Sequence, residues 1–145
     1  MKIHTEVHTF STRKDIDLIK LDDVVEQSLQ DSGISNGILI VSSRHTTTAL
    51  TINEYEERLL DDVRTYFKAL VPADDKYLHN DIHLRDCPQN EPENAHSHII
   101  AMLLSSSEVL PIVNNELQLG KWQSVILFEL DGPRERTVNI QVIGE

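Results

Sequence analysis

The sequence predicts an α+β fold in a single domain spanning residues 1–145, and three observations carry that prediction. Short β-branched runs recur along the chain, three segments carry helical periodicity, and most connections between them are short. The chain is long enough to bury a real core, and it shows no repeat, low-complexity tract or linker.

Residues 3–10 alternate Ile3, Thr5, Val7 and Thr9 with polar residues, the pattern of a half-buried strand. Residues 15–21, with Ile16, Leu18 and Ile19, form a second short strand. Asp22-Asp23-Val24-Val25-Glu26 has the spacing of a capping box, opening a helix that runs to about Asp31. Gly33 stands where a left-handed C-cap is wanted. Residues 37–41 are a continuous apolar run and therefore a buried strand, and residues 48–52 are another. Leu59, Leu60, Val63, Phe67 and Leu70 fall at helical spacing, placing a second helix over residues 56–70 that Pro72 stops.

Residues 73–93 are polar and aperiodic, and loops of that length are often functional. A third helix starts near Asn94, a candidate cap, with Ala95, Ile99, Met102 and Leu103 on one face. Residues 110–119 read as a hairpin turning at Asn114-Asn115. The last strands, 123–130 and 137–143, are joined through Asp131-Gly132-Pro133-Arg134.

The chain carries 13 basic and 24 acidic residues, a net charge of −11. Its lysines and arginines are scattered, which argues against nucleic acid and anionic membrane surfaces as partners. No apolar run reaches the ~20 residues of a membrane span. The first residues lack the apolar core of a signal peptide, and the lone Cys87 fits a reducing compartment, so the cytoplasm is the expected location.

Four of the seven histidines stand among residues suited to chemistry: His45, His79, His96 and His98. Imidazole is the commonest metal ligand and titrates near neutrality. His96 and His98 share a face only if the helix entry is still extended; on a helix they lie roughly 200° apart. His79 is flanked by Asn80 and Asp81, which can orient an imidazole through its second nitrogen. His45 lies in a turn rich in hydroxyls, either an anion-binding loop or an ordinary Ser/Thr connection. Glu129 is expected to point inward from its strand, with Arg134 leaning over a ligand. Asp61 and Asp62 face opposite ways on a helix, so at most one belongs to a site. His83 reads as a solvated loop residue, and Cys87 has no activating partner.

Several of these segments together resemble the YjbQ family. They are Ser43-Arg44-His45-Thr46-Thr47-Thr48-Ala49-Leu50-Thr51-Ile52-Asn53-Glu54, Leu60-Asp61-Asp62, Leu70-Val71-Pro72, Tyr77-Leu78-His79-Asn80-Asp81 and Asn94-Ala95-His96-Ser97-His98. Leu119-Gly120-Lys121-Trp122-Gln123 and Glu129-Leu130-Asp131-Gly132-Pro133-Arg134-Glu135-Arg136 complete the set. The resemblance covers the chain from the first helix onward. One departure is Ser97, where a small residue such as alanine is expected. The resemblance implies an α+β sandwich forming a homotrimer, with histidine-lined sites near the subunit interfaces. It also implies a secondary thiamin phosphate synthase activity, which joins hydroxymethylpyrimidine diphosphate to thiazole phosphate and releases pyrophosphate. His45, His79, His96 and His98 become metal-ligand candidates, with zinc preferred to magnesium for an imidazole-rich shell. Asp62, Glu129, Arg134 and His45 become catalytic candidates, and Arg44 shares with Arg134 the role of neutralising a leaving pyrophosphate. The same residues suit a metal-dependent hydrolase of a small phosphorylated compound. A non-catalytic trimer binding a metal or phosphometabolite is the alternative to an enzyme.

Overall fold

A computed structural model describes all residues, Met1–Glu145, as eight strands and three helices. In chain order they are β1 (Lys2–Ser11), β2 (Asp15–Lys20), α1 (Asp22–Ser32), β3 (Gly37–Ser43), β4 (Thr48–Asn53) and α2 (Glu57–Leu70). Then follow α3 (Ala95–Leu103), β5 (Ser107–Val113), β6 (Glu116–Leu117), β7 (Ser124–Gly132) and β8 (Glu135–Gly144). The strands form two antiparallel sheets, one ordered β1-β8-β3-β5-β6 and the other β2-β7-β4. No helix is long and apolar enough to cross a membrane.

β7 organises the core because it is covered on both faces, and its first seven residues are all buried. Alternation along the strand sends Val125 and Leu127 toward the larger sheet, where they pack with Leu39, Val41, Leu110, Val138, Ile140 and Val142. Val25 and Leu29 of α1 join the same cluster. Ile126, Phe128 and Leu130 face the other way, against Leu60, Val71 and Ile100 beside α2 and α3. The order of layers is therefore α2 and α3, then the small sheet, then the large sheet.

The predicted capping box does not form. Leu21 is the residue before α1, fully buried, and its N–H is held by the Val125 carbonyl. Asp22 accepts a hydrogen bond from the Val125 N–H at 2.8 Å, and Asp23, three residues before Glu26, lies inside the helix rather than at its cap. Burial of Leu21 and pairing to β7 outweigh the local cap. Gly33 does end α1 in the left-handed region, at φ 60°. Asn114 and Asn115 turn the β5–β6 hairpin at φ 53° and 66°, as the asparagine pair predicts.

β1 inverts the face expected of it. Ile3 and Val7 are 61% and 54% exposed, whereas His4, Glu6 and His8 turn inward beside α1. Glu6 accepts from Ser28 of α1 at 2.6 Å, and this polar cluster decides which face is buried. The outward face of the large sheet continues through Ile38, Val109 and Val113, all exposed. The long loop 73–93 carries two single 3₁₀ turns, Leu78–Asn80 and Ile82–Leu84.

Candidate functional site

Two clefts flank the start of α3, and Asp131 lines both. Their character is set by which turn of α3 faces each one.

The first cleft, about 520 Å³, lies between the β3–β4 turn, the 88–94 segment, α3 and the β7–β8 turn. Apart from two prolines, everything lining it is polar, including Thr46, Thr47, Asn94, His98, Arg134 and Arg136. The β7–β8 turn aims the two arginines here. Thr12 ties that turn down: its N–H donates to the Arg134 carbonyl at 2.9 Å, and its hydroxyl accepts from the Arg134 N–H at 2.9 Å. Only glycine fits at 132, since a Cβ there would meet the Arg13 carbonyl oxygen at 2.1 Å. Arg134 donates to the Asp131 carboxylate at 2.8 Å, and Asn94 donates to the same oxygen at 2.7 Å.

Glu129 does point inward, as expected, but it is not free to act as a base. It is 0% exposed and takes two hydrogen bonds from Arg136, at 2.5 and 2.7 Å. Thr12 and the Asp131 N–H donate to it as well, at 2.9 and 2.7 Å. Burial pushes its carboxyl up, but the Arg136, Asp131 and Thr12 donors outweigh burial and hold it below the usual carboxylate range. Arg136 also donates to the Thr47 hydroxyl, at 2.8 Å. Glu129 is thus a strut that fixes Arg136.

His98 meets His79 edge to face, with ring centroids 4.8 Å apart. Burial lowers the His98 pKa first, and the neighbouring His79 lowers it further, against the opposing pull of Asp131. The expected orienting residues act elsewhere. Asn80 accepts from the Ala95 N–H at 3.1 Å, capping α3 from outside, and neither Asn80 nor Asp81 bonds the His79 ring. Asn94, the expected cap, gives its side chain to Asp131 instead.

His96 is already helical and lies on the other side of α3, lining the second cleft with Ile16, Val71, Ile100 and Leu130. This settles the condition on the His96/His98 pair: the entry is not extended, and the two rings serve different clefts. His45 is separate again. Its Nε2 accepts from the Thr137 N–H at 2.9 Å, and burial, followed by the nearby Arg136 charge, lowers its pKa. Arg44 is exposed on the same turn, and Asp62 is exposed on α2 and lines neither cleft. His83 is exposed, as expected of a solvated residue.

The chain alone holds no group of three or more His, Cys, Asp or Glu side chains arranged for a metal ion. The four histidines do not fit a common metal shell within one subunit; only His79 and His98 are neighbours. Sequence reasoning missed Arg136, Thr47 and Asn94 as builders of the polar cleft. The signal for Arg136 was present: it closes the same Glu129–Arg136 segment that holds Arg134.

Comparison with known proteins gives the chain's family and agrees with its fold. The profile of the "UPF0047 protein YjbQ-like" family matches residues 6–145. A UPF0047 protein of Methanothermobacter thermautotrophicus is 41% identical over 145 residues, covering 100% of this chain and 95% of the relative. Another, from Archaeoglobus fulgidus, is 36% identical over 135 residues, covering 93% and 98%. The crystal structure of a YbjQ-like protein of unknown function from Sulfolobus solfataricus superposes with a TM-score of 0.89 at 34% identity, covering 99% of each chain. A YjbQ/UPF0047 family structure from Clostridium acetobutylicum gives 0.85 at 31% identity, covering 95% of this chain and 99% of that one. By sequence along its whole length and by fold, the chain belongs to the UPF0047 YjbQ-like family.

Proposed function

We propose that the polar cleft binds a small phosphorylated metabolite and that the protein is a thiamin phosphate synthase-like transferase. The observation that supports this reading is the pair Arg134 and Arg136, set among hydroxyls and amides with Asp131 and Glu91 as the cleft's carboxylates, in a chain of net charge −11. In such a chain a polar pocket with Arg134 at its mouth, backed by the Glu129-paired Arg136, favours phosphate oxygens. Joining hydroxymethylpyrimidine diphosphate to thiazole phosphate forms a carbon–nitrogen bond and breaks the carbon–oxygen bond to diphosphate. The ring nitrogen supplies the electron pair, and pyrophosphate leaves with the other. This chemistry asks the protein for charge stabilisation and orientation rather than a nucleophile. Arg134 binds the departing pyrophosphate, Arg136 is held rigid by Glu129, and Asn94 and Thr46 complete the oxygen cradle. His98 is neutral at pH 7, able to donate or accept a hydrogen bond at that group.

A divalent metal, with zinc preferred, belongs to the proposal as a guest of the His79–His98 pair, with further donors from outside this chain; no step is assigned to it. A homotrimer belongs to it too, and the exposed apolar face carrying Ile3, Val7, Ile38, Val109 and Val113 supports self-association. One observation favours the non-catalytic alternative, a trimer that binds a phosphometabolite without turnover: Glu129 is consumed by Arg136, and Asp62 is remote. A metal-dependent hydrolase would also need a base for water, and those two carboxylates do not supply it.

The test is to titrate the protein with inorganic pyrophosphate and to incubate it with both thiamin precursors. Binding in the micromolar range that Arg134→Ala weakens at least tenfold, with thiamin phosphate formed by the wild type, is expected. Binding without product selects the non-catalytic alternative. Absence of pyrophosphate binding overturns both.

A further inference from the structure

We propose that Asp131 makes the polar cleft selective for phosphorylated compounds that also carry an amine, with the phosphate on Arg134 and the amine on the Asp131 carboxylate. The inference rests on the phosphate reading of that cleft and names the second group its ligand must present.

The geometry begins with a carboxylate that is half used. Asp131 Oδ2 accepts from Arg134 at 2.8 Å and from Asn94 at 2.7 Å, whereas Oδ1 takes no hydrogen bond from the chain. The buried side-chain nitrogens and oxygens left without a partner are His96 Nδ1 and Asn139 Oδ1, so Asp131 Oδ1 reaches solvent. The side chain as a whole is 16% exposed, and its backbone is tied down by the N–H bond to Glu129 at 2.7 Å. An accessible acceptor on a tethered, mostly buried side chain is preorganised, so a donor that meets it costs little further ordering.

Charge decides which donor fits. Arg134 and Arg136 line the polar cleft together with Glu91 and Asp131, and Arg136 is already matched by the buried Glu129. Arg134 is therefore the cation an anion can engage. Asp131 also lines the cavity on the His96 side, of about 380 Å³, which places it at the boundary of the two clefts. There Lys68 is paired with Asp15, and Lys14 offsets Asp74 in formal charge, which leaves Asp131 as the surplus. A purely anionic ligand gains at Arg134 and loses beside Asp131 and Glu91. A ligand with an ammonium group a few bonds from its phosphate gains at both ends, and a hydrogen bond donated to a carboxylate is of the strong, charge-assisted kind. A site built to accept from a ligand N–H also discriminates sharply against the analogue that lacks it.

O-Phosphoethanolamine and propyl phosphate are matched in length and differ in ammonium against methyl, so they form the test. By calorimetry the wild type should bind phosphoethanolamine at least tenfold more tightly than propyl phosphate, the worth of one hydrogen bond to a charged group. Asp131→Asn keeps an oxygen for Arg134 and Asn94 but presents an NH₂ where Oδ1 stood, so the preference should vanish. In a crystal soaked with phosphoethanolamine, the ligand nitrogen should lie within hydrogen-bond reach of Oδ1. Equal affinity for the two probes, a preference that survives Asp131→Asn, or a nitrogen placed away from Oδ1 overturns the inference. Binding of pyrophosphate but of neither probe overturns it alone and leaves the phosphate reading standing, whereas absence of pyrophosphate binding overturns both. Should Asp131→Asn fail to fold, the wild-type affinity ratio and the soaked crystal decide.

Discussion

Glu129 and Glu6 are both carboxylates held below their ordinary range by neighbours, yet they stand at different depths with different partners. Glu129 is 0% exposed and is gripped by Arg136, which stays charged at every pH the fold survives. Glu6 sits near the surface of β1, where Ser28 first, then His4 and His8, lower its pKa to about 2. A carboxylate paired with arginine inside the protein is part of the framework. Each carboxyl, held below its ordinary pKa, contributes stability that is lost in acid; at the rim that contribution rests on a hydroxyl and imidazoles. The same contrast separates two arginines: Arg136 on β8 is buried against Glu129, whereas Arg134 in the β7–β8 turn pairs with Asp131 at the exposed mouth of the cleft.

The sharpest way to break this comparison is Arg136→Ala. It strands a buried Glu129 charge and should cost about 3–5 kcal/mol in chemical denaturation; a loss below about 1 kcal/mol would mean the pair is no strut. Arg134→Ala comes next. It should leave stability within about 0.5 kcal/mol while weakening pyrophosphate binding tenfold or more by calorimetry, about 1.4 kcal/mol. An unfolded Arg134→Ala protein would erase the distinction between the two arginines.

Smaller effects sharpen it through pH. His45 has a depressed pKa when folded, so the unfolded chain takes up a proton that the native state refuses. Stability should therefore decline as pH falls below about 6.5, because protonation of Nε2 also breaks its bond from the Thr137 N–H. In His45→Gln, thermal melts between pH 7 and 5 should show a shallower decline; an unchanged slope refutes the assignment. Glu6 should have the smallest effect. Its folded pKa lies below its unfolded one, so its contribution is complete above about pH 4.5 and is lost as pH falls through about 2. Glu6→Gln should flatten only that acid limb, and a change confined to neutral pH would contradict the reading.

Much of the fold was legible because its signals are local. β7 and β3 announce themselves as apolar runs, α2 as a helical stripe, and the β5–β6 turn as two asparagines. The misreadings arose where a distant partner overruled a local rule. Asp22 reached Val125 across 103 positions while Asp23, expected at the cap, lies inside α1, and Glu6 found Ser28, turning the β-branched side of β1 outward. The site was legible in composition but not in convergence. His79 and His98 meet, whereas His96 and His45 do not join them, because α3 is helical from Ala95 onward.

By itself, then, the sequence determined the α+β class, the element order and the loops where chemistry collects, since hydrophobic period, turn residues and charge act over a few neighbours. The tertiary structure alone decided which charge pairs are buried and which stay at the surface. Only when the sheet holding β7 stacks on the sheet holding β8 does Arg136 reach Glu129 and Arg134 overhang an open cleft. Only when α3 crosses the end of β7 do two histidines, two residues apart, come to face different clefts.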